Sequence, residues 1–282
     1  MTAMARAENK VEAGGTAHLV AALAKALREQ QSLTQDELGR RIGYTGSAIS
    51  AMETCAQPAS DKMLVALEEQ IGGGLGVFEK ARKFMLLDKY PPQFKNFALM
   101  EAEAVTLCSY QTFVVDGLFQ TPAYARALIG GGFPRLPETK VEELVEARIA
   151  RRALFDRDPP AMVELILDES ALRRPFGSWE ILREQLRSLA EDAERDNVSV
   201  QVMPMERALR GGHAGAHGSM VLVVTKDHHQ VVYLEVEDQS VLVSDPPTVA
   251  PLAHRYAKIR TQALSPDDSL SLIRTLAGEE RT

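Results

Sequence analysis

The chain has 282 residues, 45% of them apolar, a formal net charge of -7 and two cysteines. That length exceeds what one hydrophobic core usually serves, so two domains are expected, and the apolar fraction is enough to fill both cores. No apolar run approaches bilayer length and the first sixteen residues hold no signal-like stretch. Cys55 and Cys108 are too few and too far apart for a disulfide framework or a thiolate metal site, so a globular cytoplasmic protein without membrane association is expected.

The charge is unevenly spread. Residues 1–96 carry 12 Lys and Arg against 11 Asp and Glu, whereas residues 97–282 carry 20 against 28, so the acidity belongs to the second part. Within the first part, residues 17–72 are net -2 from 5 against 7, and positive charge follows in residues 73–96, with 5 against 2. That later segment includes Lys80 to Lys95, a candidate for phosphate contact.

In chain order, residues 1–16 read as a flexible arm. Leu19, Leu23 and Leu27 then repeat at helical spacing. Thr34 with Glu37 three residues on forms a capping box for a second helix bearing Leu38 and Ile42, and Gly43 suits a left-handed helix end. Thr45 can cap the next helix, whose Ile49 and Met52 face a core. Ser60 starts a fourth helix with Met63, Leu64, Leu67 and Ile71, and a fifth carries Val77, Phe78, Ala81 and Phe84. The result is an all-α helix-turn-helix domain over 17–90.

The prolines in "YPPQFKN" interrupt helical propagation, which places a linker at 91–96. Beyond it, over 97–282, helical spacing occurs around Phe97 to Leu107, Thr121 to Ile129, Lys140 to Phe155 and Trp179 to Glu194. Strand-like runs occur in "MVELILD", "VSVQVMP", "SMVLVVT", "QVVYLEV" and "SVLVS", with a hairpin tip at Asp227 to His229, and two helices close the chain, the second opened by Ser265, Pro266 and Asp268. An α+β domain with a largely antiparallel sheet is expected.

Residues 17–72, through "LTQDELGRRIGYTGSAISAME", resemble the Xre-type, phage-repressor-like helix-turn-helix family. The resemblance implies that Gln35 contacts the DNA backbone and braces the recognition helix, and that Arg28 and Glu53 form a structural ion pair. It also places Thr45, Gly46, Ser47, Ser50 and Ala51 at the DNA-facing positions, with Arg40 and Arg41 near phosphate. "VVDGLFQTPAYARALI", "EARIARRALF", "LDESALRR", "VVYLE" and "ALSPDDSLSLI" resemble the C-terminal domain of actinobacterial Xre-family regulators of the WhiJ-like, antitoxin-like group. That resemblance implies a transcriptional regulator whose neighbouring gene encodes a small acidic partner protein. Cys55 departs from the pattern, standing where a Gly usually follows the recognition helix.

The recognition face has no Arg, Lys, Asn or Gln, the side chains that read bases with forked hydrogen bonds worth about 1–3 kcal/mol each. Ser47 and Ser50 can donate to several bases, and the methyl groups of Thr45 and Ala51 can touch thymine. Such weak readers gain selectivity by pairing, so a homodimer on palindromic double-stranded DNA is expected, with half-sites roughly 34 Å apart.

His213 and His217 sit four apart, but their glycine-rich loop and the absence of further ligands argue against metal. "IGGGLG" and "IGGGF" lack the strand-then-helix context of a phosphate loop, and no nucleophile–base pair stands out, so neither enzyme nor cofactor is expected. Arg148, Arg151 and Arg152 form a basic patch beside Gln120 and Tyr124 that reads either as a solvated face pairing with Glu142 or Glu146, or as a contact for a carboxylate from a metabolite or an acidic partner chain. Alternative readings are a metabolite-sensing one-component regulator and a protein-interaction module that has lost DNA binding.

Overall fold

The computed structural model describes residues 15–87, 92–236 and 239–278. The chain forms two compact units, Met1–Lys89 and Tyr90–Thr282. Most of the arm expected at 1–16 lies outside the described residues, as does the junction at 88–91. Residues 92–96, read above as linker, form the first turn of a helix in the second unit.

The first unit contains α1 (Gly15–Gln30), α2 (Gln35–Ile42), α3 (Gly46–Glu53), α4 (Asp61–Ile71) and α5 (Val77–Leu87). Their ends follow from local chemistry. The Thr34 hydroxyl accepts from the Glu37 amide at 3.2 Å while the Glu37 carboxylate accepts from the Thr34 amide at 2.8 Å, closing the capping box that starts α2. Gly43 ends α2 at φ 76°, a left-handed conformation that glycine adopts without a Cβ clash. Thr45 and Ser60 cap α3 and α4 by accepting from Ala48 N and Met63 N. Leu38, Ile42, Ile49, Met52, Leu64, Leu67 and Phe78 fill the core. On α1 the buried stripe is Val20 and Ala24 rather than the leucine repeat, and Leu19 is 60% exposed. The small side chains let α1 approach its neighbours closely.

Cys55, just after α3, sits at φ 55°, with its thiol 3.6 Å from the carbonyl oxygen of Ala17. A left-handed non-glycine residue costs about 1–2 kcal/mol, while glycine would return about 0.4–1 kcal/mol to the unfolded chain as added freedom. Cys55→Gly should therefore stabilise the first unit by about 0.5–1 kcal/mol, and thermal melts followed by circular dichroism would show it. A lowered melting temperature would mean that the thiol contact outweighs the backbone strain.

The second unit begins with α6 (Pro92–Glu103) and builds β1 (Thr106–Gln111), α7 (Pro122–Gly130), α8 (Glu138–Ala150), β2 (Met162–Asp168), α9 (Glu169–Arg173), α10 (Trp179–Asp192) and β3 (Val198–Met203). β4 (Met220–Val224), β5 (Gln230–Val236), β6 (Gln239–Val243), α11 (Pro246–Gln262) and α12 (Pro266–Gly278) follow. Among the described residues the strands form one six-stranded sheet in the order β3-β2-β1-β4-β5-β6.

The expected largely antiparallel sheet is corrected to a mixed one. β1–β2 and β2–β3 pair parallel, and β1–β4, β4–β5 and β5–β6 pair antiparallel. Two helices lie in each connection from β1 to β2 and from β2 to β3, and a helical crossover carries the chain back to the end of the sheet at which the previous strand began. The hairpin through Asp227 and His228 cannot do so and reverses direction instead. β1 also displaces an expected helix that ran to Leu107. It is the third strand of the sheet, buried on both faces, so the alternation that identifies a half-exposed strand is missing.

Leu107, Leu165, Val200 and Val223 face α6, α10 and α12 through Phe97, Leu186 and Ile273. Tyr110, Ile166, Leu222 and Val232 face α11 through Tyr256 and Ile259. Both sides of the sheet are thus covered.

Candidate nucleic-acid interface and a cavity in the second unit

In the first unit, α2 and α3 are held at a fixed angle by a buried charge cluster. Arg28 of α1 donates from Nε to Glu53 Oε1 at 2.6 Å and from Nη2 to Glu53 Oε2 at 3.0 Å, while Nη1 reaches the Leu33 carbonyl at 2.7 Å. Gln35, the first residue of α2, donates from Nε2 to Glu53 Oε2 at 2.9 Å. Burial opposes the Glu53 charge, but the hydrogen bonds from Arg28 and Gln35 outweigh it and hold its carboxyl below the usual range. Residues from three helices therefore meet on one carboxylate.

With Ile49 and Met52 turned inward, α3 leaves Thr45 and Ser47 exposed and Gly46, Ser50 and Ala51 half-buried. The Thr45 and Ser47 hydroxyls lie 2.9 Å apart. Arg40 and Arg41 are exposed at the end of α2. Arg40 donates to the Asp36 carbonyl at 3.4 Å, and Arg41 makes no hydrogen bond or ion pair among the described residues. In the later basic segment, Arg82 is held by Asp61 through two bonds of 2.7 Å, while Lys80 and Lys83 of α5 are exposed. Lys89 lies outside the described residues, and Lys95 belongs to α6 of the second unit.

The arginine trio is divided by the fold. α8 ends at Ala150 and tightens into a 3-10 turn over Arg151–Leu154, and the three arginines find separate partners. Arg151 donates to both oxygens of Glu101 at 2.6 Å, and Arg152 donates to Asp192 at 2.7 and 2.9 Å. The expected partner Glu142 is corrected accordingly, since it instead accepts from Arg126 at 2.5 and 2.7 Å. Arg148 donates to Gln120 Oε1 at 2.9 Å, and Gln120 donates onward to the Val115 carbonyl at 2.7 Å. Tyr124 is fully buried, with its hydroxyl accepting from the Val115 amide at 3.4 Å, so it offers no surface contact.

Arg148, Arg151 and Gln120 come together on a cavity of about 460 Å³ that Arg152 and Tyr124 do not line. Its apolar wall includes Phe97 of α6, Leu128 of α7, Leu144 of α8 and Tyr233 of β5, and the rings of Phe97 and Tyr233 stack at 4.2 Å. Asp116 closes the polar end, accepting from Ser109 Oγ at 2.6 Å, from Gln111 Nε2 at 3.1 Å and from the Leu118 amide at 2.8 Å. A Cβ on Gly117 would stand 2.6 Å from Arg151 Nη1, so any larger residue there would displace the guanidinium from its present position. Glu101, behind Arg151, has its carboxyl pushed up by burial, with Arg151 opposing the rise. Sequence reasoning passed over Glu101 and Asp116, because nothing local marks a carboxylate as buried, and over Glu235, which is exposed on β5.

His213 lies in a turn, with Nδ1 accepting from the Gly215 amide at 3.1 Å and Nε2 3.9 Å from Asp168 Oδ2, and His217 is exposed. Among the described residues no group of three or more possible metal ligands gathers, and no helix is long and apolar enough to cross a membrane.

Residues 25–78 match the family described as helix-turn-helix, and residues 94–275 match the family described as a domain of unknown function, DUF5753. A stretch of 106 residues, 37% of the chain, is 32% identical to the histidine–tRNA ligase, chloroplastic/mitochondrial, of Arabidopsis thaliana. The match covers 21% of that protein, so the chain spans about a fifth of the length of this relative. No solved structure matches the chain.

Proposed function

From a chain that belongs to the DUF5753 family and carries a helix-turn-helix ahead of that domain, we propose a dimeric transcriptional regulator that lays α3 of each subunit in the major groove of a palindromic site. The observation that carries this reading is the first unit's geometry, in which Arg28, Gln35 and Glu53 fix α3 so that Thr45, Ser47, Ser50 and Ala51 form its outer face, flanked by the exposed Arg40 and Arg41. Hydroxyls and methyl groups discriminate weakly between bases, so affinity comes from phosphate contacts and selectivity from two subunits acting together. The second unit sets how the two helices are presented. Such control requires an input that binds the DNA-competent and DNA-incompetent states unequally.

The cavity favours a small molecule as that input. A small acidic partner protein, the input implied by the WhiJ-like resemblance, would need a surface other than Arg151 and Arg152, whose guanidinium groups Glu101 and Asp192 already hold. We read the protein as a binding protein rather than an enzyme, and the partial likeness to a tRNA ligase carries no activity across.

Gel retardation on promoter DNA at graded salt tests the interface. Arg41→Ala should weaken binding across sequences and reduce the slope of log K against log salt by about one for each phosphate contact removed. Gln35→Ala should loosen α3 and weaken binding as well. Retardation and salt slope unchanged in both variants would place the DNA contact elsewhere and overturn the reading.

A further inference from the structure

We propose that the cavity between α6, α8 and the β1–β4–β5 part of the sheet is a binding site for a small organic amine, whose ammonium group pairs with Glu235 and whose apolar body lies against Phe97, Leu128 and Tyr233. The volume of about 460 Å³ falls among those of small-molecule sites, and the mixture of apolar walls with a few convergent polar groups is their usual composition.

The sign of the ligand's charge follows from how the polar groups are already committed. Arg151 and Glu101 close on each other through two bonds of 2.6 Å. Asp116 accepts three hydrogen bonds and stands 4.0 Å from Arg151, while Arg148 is held by Gln120. Glu235, at the rim on β5, makes no hydrogen bond or ion pair among the described residues. Partial removal from water pushes its carboxyl up, with Arg148 and Arg151 opposing the rise, so the site lacks a strong donor at this oxygen pair. On the lining, Arg148 and Arg151 face Asp116 and Glu235, and of these four Glu235 is the one without a hydrogen-bond partner among the described residues. A monocation supplies that partner, whereas a carboxylate ligand would add a second unpartnered anion beside it. The cationic preference replaces the carboxylate ligand that the arginines alone suggested.

The site extends the regulatory reading above but is measured without DNA, so the failure of either leaves the other standing. Three probes with the same apolar body separate the chemistries: phenethylamine, 3-phenylpropionate and 2-phenylethanol, each titrated into the full-length protein by ligand-observed NMR and calorimetry. Probes of this size are expected to bind in about the millimolar to micromolar range. Phenethylamine should bind at least about tenfold more tightly than the other two, a difference of about 1.4 kcal/mol. Glu235→Gln should remove that advantage, and Leu128→Trp, which fills the cavity, should abolish binding of all three while leaving the circular dichroism spectrum unchanged. Preference for 3-phenylpropionate, an amine affinity unaffected by Glu235→Gln, binding that survives Leu128→Trp, or no binding of any probe would each overturn the proposal.

Discussion

Arg151→Ala should destabilise the second unit by about 3–5 kcal/mol at neutral pH, the usual cost of stranding one member of a buried ion pair. Glu101 is 2% exposed and would lose both of its 2.6 Å bonds, with Asp116 as its remaining charged neighbour. The loss should shrink on acidification. The Glu101 carboxyl is raised in the folded protein by burial even with Arg151 present, and removing the guanidinium raises it further. A carboxyl raised on folding contributes stability that is fully present below its unfolded pKa, about 4.3, and that is lost as pH rises through the folded value. Between pH 7.5 and pH 5 the variant should therefore recover relative to the wild type. Urea denaturation followed by the fluorescence of Trp179, the only tryptophan and a residue packed against the core of this unit, would measure it. Adding Glu101→Gln to Arg151→Ala should restore part of the stability at pH 7.5. A deficit identical at both pH values, or one made deeper by the second substitution, would mean that the pair does not carry the effect.

The first unit alone should bind its operator about 10²–10⁴-fold more weakly than the intact chain. Residues 1–89 contain a core built around Leu38, Ile49, Leu64 and Phe78 and the Arg28–Glu53 pair, so the fragment has what it needs to fold and present α3. What it lacks is the partner that converts a second weak encounter into an intramolecular one. The effect should be large because α3 offers no bidentate reader, each of which contributes about 1–3 kcal/mol of discrimination in proteins that have them. Gel retardation of fragment and intact chain on one palindromic site, with sedimentation of both, gives the comparison. Equal occupancy by the monomeric fragment would end the dimer proposal.

These two expectations draw on different layers of information. The outline of the first unit was legible residue by residue: the Thr34–Glu37 box, the turn at Gly43 and the caps at Thr45 and Ser60 act over a few positions, and their chemistry is the same in any fold. The five apolar runs that became β2 to β6 were legible for a similar reason, because β-branched residues concentrate in pleated, buried backbone.

β1 was not legible: "TLCSYQ" mixes polar and apolar side chains, and it becomes a strand through the neighbours that flank it. The parallel half of the sheet likewise came from helical crossovers that no strand sequence records. The arginines show the difference most plainly. Their positions suggested a basic patch, yet Arg151 finds Glu101 across 50 residues of chain and Arg152 finds Asp192 across 40. The sequence by itself determined where helices begin, where they stop and which residues fill the first core, since those choices are made by forces acting within a turn or two. Only the tertiary structure decided strand direction, charge partners and the cavity, because each depends on groups far apart in the chain being brought within a few ångströms and taken out of water together.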